Sequence, residues 1–351
     1  MTTDLQTADV PTSNPDTATQ LSALLTGVAI APLVDTGWIR VTGEDRLRWL
    51  NGMVTNSIAG LAPGEGCYNF VLNAQGRIQG DLIAWMQEDS ILLEIGRDQI
   101  AKLLAHFNRF IIMDDVELTD IGDERNGLSV AGPQAAALLR EIGLTGASLA
   151  PMQRQTAAWS GSTVITLSTH SPLVPRFELW ADSATIAALR VELMAAGAIA
   201  VSPEALEQLR ILEGTPRYGI DIRDNEKTHD LPQETGQTRA LHFTKGCYLG
   251  QEIVERIHSR GAVHRTFSGF VLTGPLPAAG TFLEADGKPV AELTSVASIQ
   301  LRESGLTGEH AASCPVQLAM GIVRREALDR KLTLTYPGGI ATPISLPYAV
   351  P

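Results

Sequence analysis

Cysteine is scarce in this 351-residue chain, which has three, at Cys67, Cys247 and Cys314. So few thiols, so far apart, cannot form a disulfide framework, and a reducing cytoplasm suits them best. Long apolar runs are also missing: no stretch of about 18 apolar residues occurs, so no membrane-spanning helix and no membrane partner is expected. Basic charge is in deficit. With 27 Lys and Arg against 39 Asp and Glu, the net charge is −12. Without a phosphate-neutralising excess, strong nucleic-acid binding is not expected. The opening MTTDLQTADVPTSNPDTATQ has neither a positive region nor an apolar one, so it does not read as a secretory signal. Its Thr, Asp, Ser and Pro supply no core, and residues 1–18 are expected to be a disordered tail.

The rest reads as a folded body of mixed helices and strands. Strand-like stretches recur at 38–43, 66–76, 77–95, 116–121, 127–132, 162–169 and 176–181. In DQIAKLLAHFNRFI (98–111), Ile100, Leu103, Leu104 and Phe107 share one helix face. PQAAALLREIG (133–143) places Pro at its first turn and Gly just past its end. SATIAALRVELMAAG (183–197) and SPEALEQLRILEG (202–214) carry Ser at the N-cap. RDNEKTHDLPQETGQT (223–238) is a long polar loop, and such loops are often functional. From about 262 to 351 the texture changes to short strands punctuated by Gly and Pro, with a hairpin signal at Asp286-Gly287. That tail reads as a β-barrel or sandwich.

One stretch asks for chemistry. KGCYLGQE (245–252) puts Cys247 just ahead of an amphipathic helix in which Leu249, Ile253 and Ile257 recur every fourth residue. A helix start carries positive potential, and Lys245 adds a cation; both favour thiolate over thiol. The expected species is a nucleophilic or metal-ligating sulfur. A small buried apolar cysteine is the alternative reading of the same residues. Catalysis by Cys247 with His258 or His264 is disfavoured, because 11 helical residues span about 16 Å.

KGCYLGQE resembles the signature of the YgfZ-type folate-binding proteins, iron–sulfur cluster assembly factors that share a fold with the aminomethyltransferase (T-protein) of the glycine cleavage system. The resemblance extends over about residues 25–345, through LNAQGRIQGD (72–81), LRILEGTPRYGIDI (209–222) and LPQETG (231–236). It implies a three-lobed α+β fold: two intertwined α+β domains over 19–261 and a C-terminal β-barrel over 262–351. It also implies tetrahydrofolate or a related folate as cofactor, and iron–sulfur carrier or client proteins as partners. By the same resemblance Glu178 would read the pterin and Arg210 would contact the ligand. Asn73, Tyr218 and Gln251 would line or support the folate site. Cys247 would be the working group and a transient iron–sulfur ligand, tuned by Lys245.

One departure bears on the activity. The transferases carry two adjacent acidic residues where this chain has Gly80-Asp81. Asp81 is therefore the one acidic residue left for catalysis. The expected function is a folate-binding accessory protein rather than a classical enzyme. Tetrahydrofolate-dependent aminomethyl transfer or demethylation is the alternative.

Overall fold

The computed structural model describes residues 15–225, 230–261, 263–301 and 315–350. Cys314 and residues 1–14 lie outside these. A helix, Thr17–Thr26, starts inside the stretch expected to be disordered. Asp16 caps it by accepting from the Thr19 N–H at 2.7 Å.

The chain path explains why two lobes are intertwined. Ala29–Pro32 joins one sheet, and the chain then leaves to build another. That second sheet has five strands in the order Gly66–Leu72, Ile78–Met86, Ile91–Gly96, Thr36–Thr42, Glu117–Asp120. The chain returns to complete the six-stranded sheet in the order Ile199–Ala200, Ala29–Pro32, Asn126–Ala131, Arg176–Ala181, Ser162–Thr169, Gln153–Trp159. The last of these lies outside the expected elements. QRQTAAW shows no apolar alternation because it is an edge strand, paired along its length to Ser162–Thr169, with only its start bridging Glu65.

Alternation along the strands decides what each face meets. In Arg176–Ala181, residues Phe177, Leu179 and Ala181 pack with the helices Ala135–Glu141 and Ser183–Ala195. Glu178 and Trp180 point the other way, toward the five-stranded sheet. There Trp180, Ile165 and Leu167 meet Trp38, Trp85 and Leu92. The Trp38 and Trp180 rings stand edge to face, with centroids 5.1 Å apart. The far face of the five-stranded sheet is covered by helices Arg46–Met53 and Ile100–Asn108.

The third lobe is a closed six-stranded barrel running from Arg265–Thr273 to Gly339–Ile344. Asp286 and Gly287 both take positive φ, 51° and 72°, as a two-residue hairpin turn between Phe282–Ala285 and Lys288–Ile299 requires. Helices Thr17–Thr26 and Pro203–Glu213 dock the barrel onto the body, with Leu209 and Leu212 in one cluster with Leu318 and Met320. Among the described residues no helix is long and apolar enough to cross a membrane.

Trp180 is 3% exposed and joins the two sheets. Trp180→Ala is expected to cost about 3–5 kcal/mol in chemical denaturation. A loss under about 1 kcal/mol would mean that the tryptophans do not hold the sheets together.

A strapped thiol and a carboxylate-lined gap as candidate functional site

Residues 230–250 form a strap from the barrel to the five-stranded sheet. At its start, Arg265 pairs with Glu234 at 2.7 Å and with Asp230 at 3.2 Å. Midway, Thr55 Oγ1 donates to the Ala240 carbonyl at 2.6 Å, and the His242 N–H donates to the Thr55 carbonyl at 3.2 Å. At its end, the Lys245 ammonium donates to three backbone carbonyls, those of Asn51, Val54 and Asn56, at 2.7, 2.8 and 2.6 Å. These lie at and beyond the C-terminal end of helix Arg46–Met53, where cations are favoured. Burial lowers the Lys245 ammonium to about 8, opposed by the nearby Cys67 sulfur.

This geometry corrects the expected surroundings of Cys247. The helix begins at Gln251, four residues beyond Cys247, with Gly250 as its N-cap. Lys245 is turned toward carbonyls, and its charge acts on the Cys67 sulfur. Cys67 is half-buried, and its thiol is pushed up by burial. Cys247 is exposed, which excludes the reading of a small buried residue. Gln251 Oε1 accepts from the Tyr248 N–H at 3.3 Å and so braces the turn that carries Cys247.

Two of the expected motifs meet here. Asn73 Oδ1 accepts from the Gln75 and Arg77 N–H groups and shapes the Asn73–Arg77 turn. That turn packs on the strap through glycines. Gly250 has φ +83°, and a Cβ there would lie 2.6 Å from the Asn73 carbonyl oxygen; one on Gly76 would lie 2.7 Å from Ile253 Cβ.

Asp81 lies on the same sheet. Its carboxylate accepts from Tyr68 Oη at 2.7 Å and from Gln99 Nε2 at 2.9 Å. Burial raises its carboxyl above the ordinary value, and these two bonds oppose the rise. The Arg239 guanidinium covers the Tyr68 ring at 4.3 Å and reaches both Asp81 and His170 electrostatically.

Glu178 lies elsewhere, in the gap between the sheets. It is 3% exposed; Oε2 accepts from Trp180 Nε1 at 3.1 Å, and Oε1 is 3.6 Å from Arg176. Across the gap stands Glu94, half-buried, accepting from Trp85 Nε1 at 2.8 Å. Burial raises both carboxyls, and Glu178 raises Glu94 further. Arg176 also acts on Glu213, which lines a cleft of about 350 Å³ with His170, Phe267 and Leu346 at the barrel junction.

Arg210 belongs to neither region, whereas Tyr218 packs in one cluster with Tyr68, Phe70 and the strap residue Tyr248 and feels the Asp81 charge. The Arg210 guanidinium bonds Glu207, Asp221, Ser295 and the Thr215 carbonyl, which braces helix Pro203–Glu213 against the barrel. Tyr218 Oη donates to the Gln79 carbonyl at 2.7 Å and accepts from Lys102 at 2.6 Å. Tyr68, Glu94, Arg176 and Arg239 were not singled out by sequence. Each is an ordinary strand or loop residue until its partner is known. The nearest local signal is Tyr68, which alternates with Phe70 on its strand.

Between the sheets stand acceptors of the kind a planar N–H edge bonds. Glu178 and Glu94 offer acceptors to an amide-like N–H edge, and two groups there lack partners: Ser129 Oγ, 2% exposed, and Arg176 Nε. Among the described residues no group of three or more His, Cys, Asp or Glu side chains converges as metal ligands.

With that geometry in place, the comparisons with known proteins decide the family. Residues 11–245 match the GCVT N-terminal domain. The chain belongs to that family. Relatives include the tRNA-modifying protein YgfZ of Escherichia coli O157:H7, 30% identical over 272 residues, 73% of this chain and 76% of that protein. The mitochondrial iron–sulfur cluster assembly factor IBA57 homolog of Neurospora crassa is 28% identical over 271 residues, 72% of this chain and 54% of that protein. A chloroplastic protein of Arabidopsis thaliana, provisionally named a transferase, is 28% identical over 277 residues; the match spans 78% of this chain and 63% of that protein's length. The GCVT-like fold is shared with the glycine cleavage system aminomethyltransferase T of Bartonella henselae, with a TM-score of 0.78 at 21% identity, covering 95% of this chain and 89% of that one.

Exposure sets an order of reactivity for the two described thiols. Native-state alkylation followed peptide by peptide is expected to modify Cys247 well before Cys67. Equal rates would contradict the strap geometry.

Proposed function

We propose that this protein is a folate-binding accessory factor in iron–sulfur cluster assembly or repair, acting in the cytoplasm, with Cys247 as its working sulfur. The observation that carries the reading is the exposed Cys247 held on a strap that Lys245 fixes to the carbonyls of Asn51, Val54 and Asn56 and that Gly250 packs against the Asn73–Arg77 turn. The names of the YgfZ and IBA57 relatives point the same way.

The cluster is cargo in this reading. Biological clusters commonly take four thiolates, so Cys247 would supply one ligand and a carrier, a client protein or glutathione the others. Glu178 and Glu94 would hold the pterin edge of a folate, and Arg176 lies within reach of its surroundings. Folate, when bound, supplies one-carbon carrier chemistry. This chain's residues contribute acceptors, a cation and a dry gap between tryptophans.

The alternative, tetrahydrofolate-dependent aminomethyl transfer or demethylation, is favoured by one feature. Asp81 keeps its carboxyl raised by burial and steadied by Tyr68 and Gln99. Against it, Gly80 stands where the transferases have a second acid.

Complementation of a strain lacking its YgfZ-type protein separates the two. The readout is the activity of an iron–sulfur enzyme that depends on that protein. Cys247→Ala is expected to fail and Asp81→Asn to rescue. Full rescue by the alanine variant, or turnover of an aminomethyl donor that Asp81→Asn abolishes, would reverse the assignment.

A further inference from the structure

The surface near Cys247 carries apolar side chains that the fold leaves uncovered. Ile112 is 83% exposed and Met113 93%, the highest values for large apolar side chains among the described residues. Phe110, at 37%, adjoins them. One exposed isoleucine is ordinary, whereas neighbouring apolar residues on a fixed loop mark a contact surface. This loop is held in place. The Phe110 carbonyl accepts from Trp49 Nε1 at 3.1 Å, and the Asp115 N–H donates to Asp45 Oδ2 at 3.0 Å. The Phe110 ring lies 5.3 Å from that of His106, and Ile111 turns inward onto the core that holds Trp49. Side chains presented from so firm a base lose little further freedom on binding.

Helix Arg46–Met53 sets this loop beside the strap. Trp49 holds the loop at Phe110, and the Gly52 carbonyl accepts from the Leu249 N–H at 2.9 Å. Leu249 packs on the same core as Ile111. Trp49 and Gly52 are close to one turn apart, a rise of about 4.5 Å. Cys247 lies two residues before Leu249 and Ile112 two after Phe110, each a step of at most about 7 Å. An interface of about 800 Å² per partner is about 30 Å across. One footprint of that size reaches from the exposed thiol to the exposed loop.

We infer that Phe110, Ile112 and Met113 form the docking surface for the protein that supplies the remaining cluster ligands at Cys247. The inference rests on the cluster reading above. Cys247 brings one thiolate and clusters commonly take four, so the partner is a carrier or client with ligating cysteines of its own. It sets an apolar pocket over Ile112 and Met113 and its cysteines over Cys247. Methionine adapts to pockets of different shape, which suits a factor with more than one partner. A second copy of this chain fits less well. It adds the same single strap thiol, and each copy carries a net charge of −12. Asp115 and Glu117, exposed beside the loop, would be repelled by an anionic membrane surface.

Complementation of a strain lacking its YgfZ-type protein tests the surface. Ile112→Asp/Met113→Asp is expected to lower the rescued iron–sulfur enzyme activity by about tenfold or more, as the loss of two anchors at an interface would. Ile112→Leu/Met113→Leu keeps the surface apolar and is expected to rescue. Both sites are exposed, so the purified aspartate variant is expected to keep the wild-type Tm and the wild-type alkylation rate at Cys247. In cells, a permeant maleimide is expected to label Cys247 more slowly than in the purified protein. The aspartate variant is expected to remove that protection.

Full rescue by the aspartate variant while Cys247→Ala fails overturns the docking surface and leaves the cluster reading standing. Equal labelling of Cys247 in cells in wild type and aspartate variant does the same. Full rescue by Cys247→Ala overturns the cluster reading, and this inference with it. Sedimentation and vesicle flotation decide the other occupants. A wild-type dimer that the aspartate variant dissolves, or wild-type flotation with phosphatidylglycerol vesicles that the variant loses, also overturns the inference.

Discussion

Three carbonyls around one ammonium hold the end of the strap in place. An ammonium taken out of water is costly unless hydrogen-bonded, and Lys245 meets that demand with the carbonyls of Asn51, Val54 and Asn56. The same bonds satisfy groups at a helix end that would otherwise lack partners. They also fix where the next residues go. Cys247, two positions on, is left on the surface, while Tyr248 turns inward, 7% exposed beneath the ammonium. Lysine here is a fastening, its ammonium held by backbone carbonyls.

The molecule separates two kinds of chemistry. Between the sheets, tryptophans pack together, and burial raises Glu94 and Glu178. On the strap, a thiol faces solvent. Asp81 and Tyr68 meet the strap at Arg239, which also reaches His170 at the cleft beside the barrel. A ligand in the gap and a partner at the strap can thus be accommodated without competing for the same residues.

Much of the architecture was legible in local pattern. Ser202 and Pro203 start a helix that Gly214 ends, Asp286-Gly287 makes its turn, and the Gly- and Pro-punctuated tail closes into a barrel. The KGC stretch was legible as a place where a cysteine stays reachable. What local pattern could not carry was partnership across the chain. Nothing near Lys245 announces that carbonyls almost two hundred residues earlier will receive it. Glu94 sits in ILLEIG as an unremarkable strand residue until a different sheet brings Glu178 opposite. Arg210 reads as a helix charge or a ligand contact, and only the fold supplies Asp221 and Ser295. Gln153–Trp159 escaped notice because an edge strand needs no apolar face.

The account stands on the gap between the sheets being where folate is held, with the thiol outside it. Equilibrium binding of 5-formyltetrahydrofolate to Glu178→Gln and Cys247→Ala tests this most directly. The account predicts that Glu178→Gln weakens binding by about 10–100-fold, the worth of a hydrogen bond to a charged group, while Cys247→Ala binds as wild type does. Undiminished affinity in Glu178→Gln would contradict it.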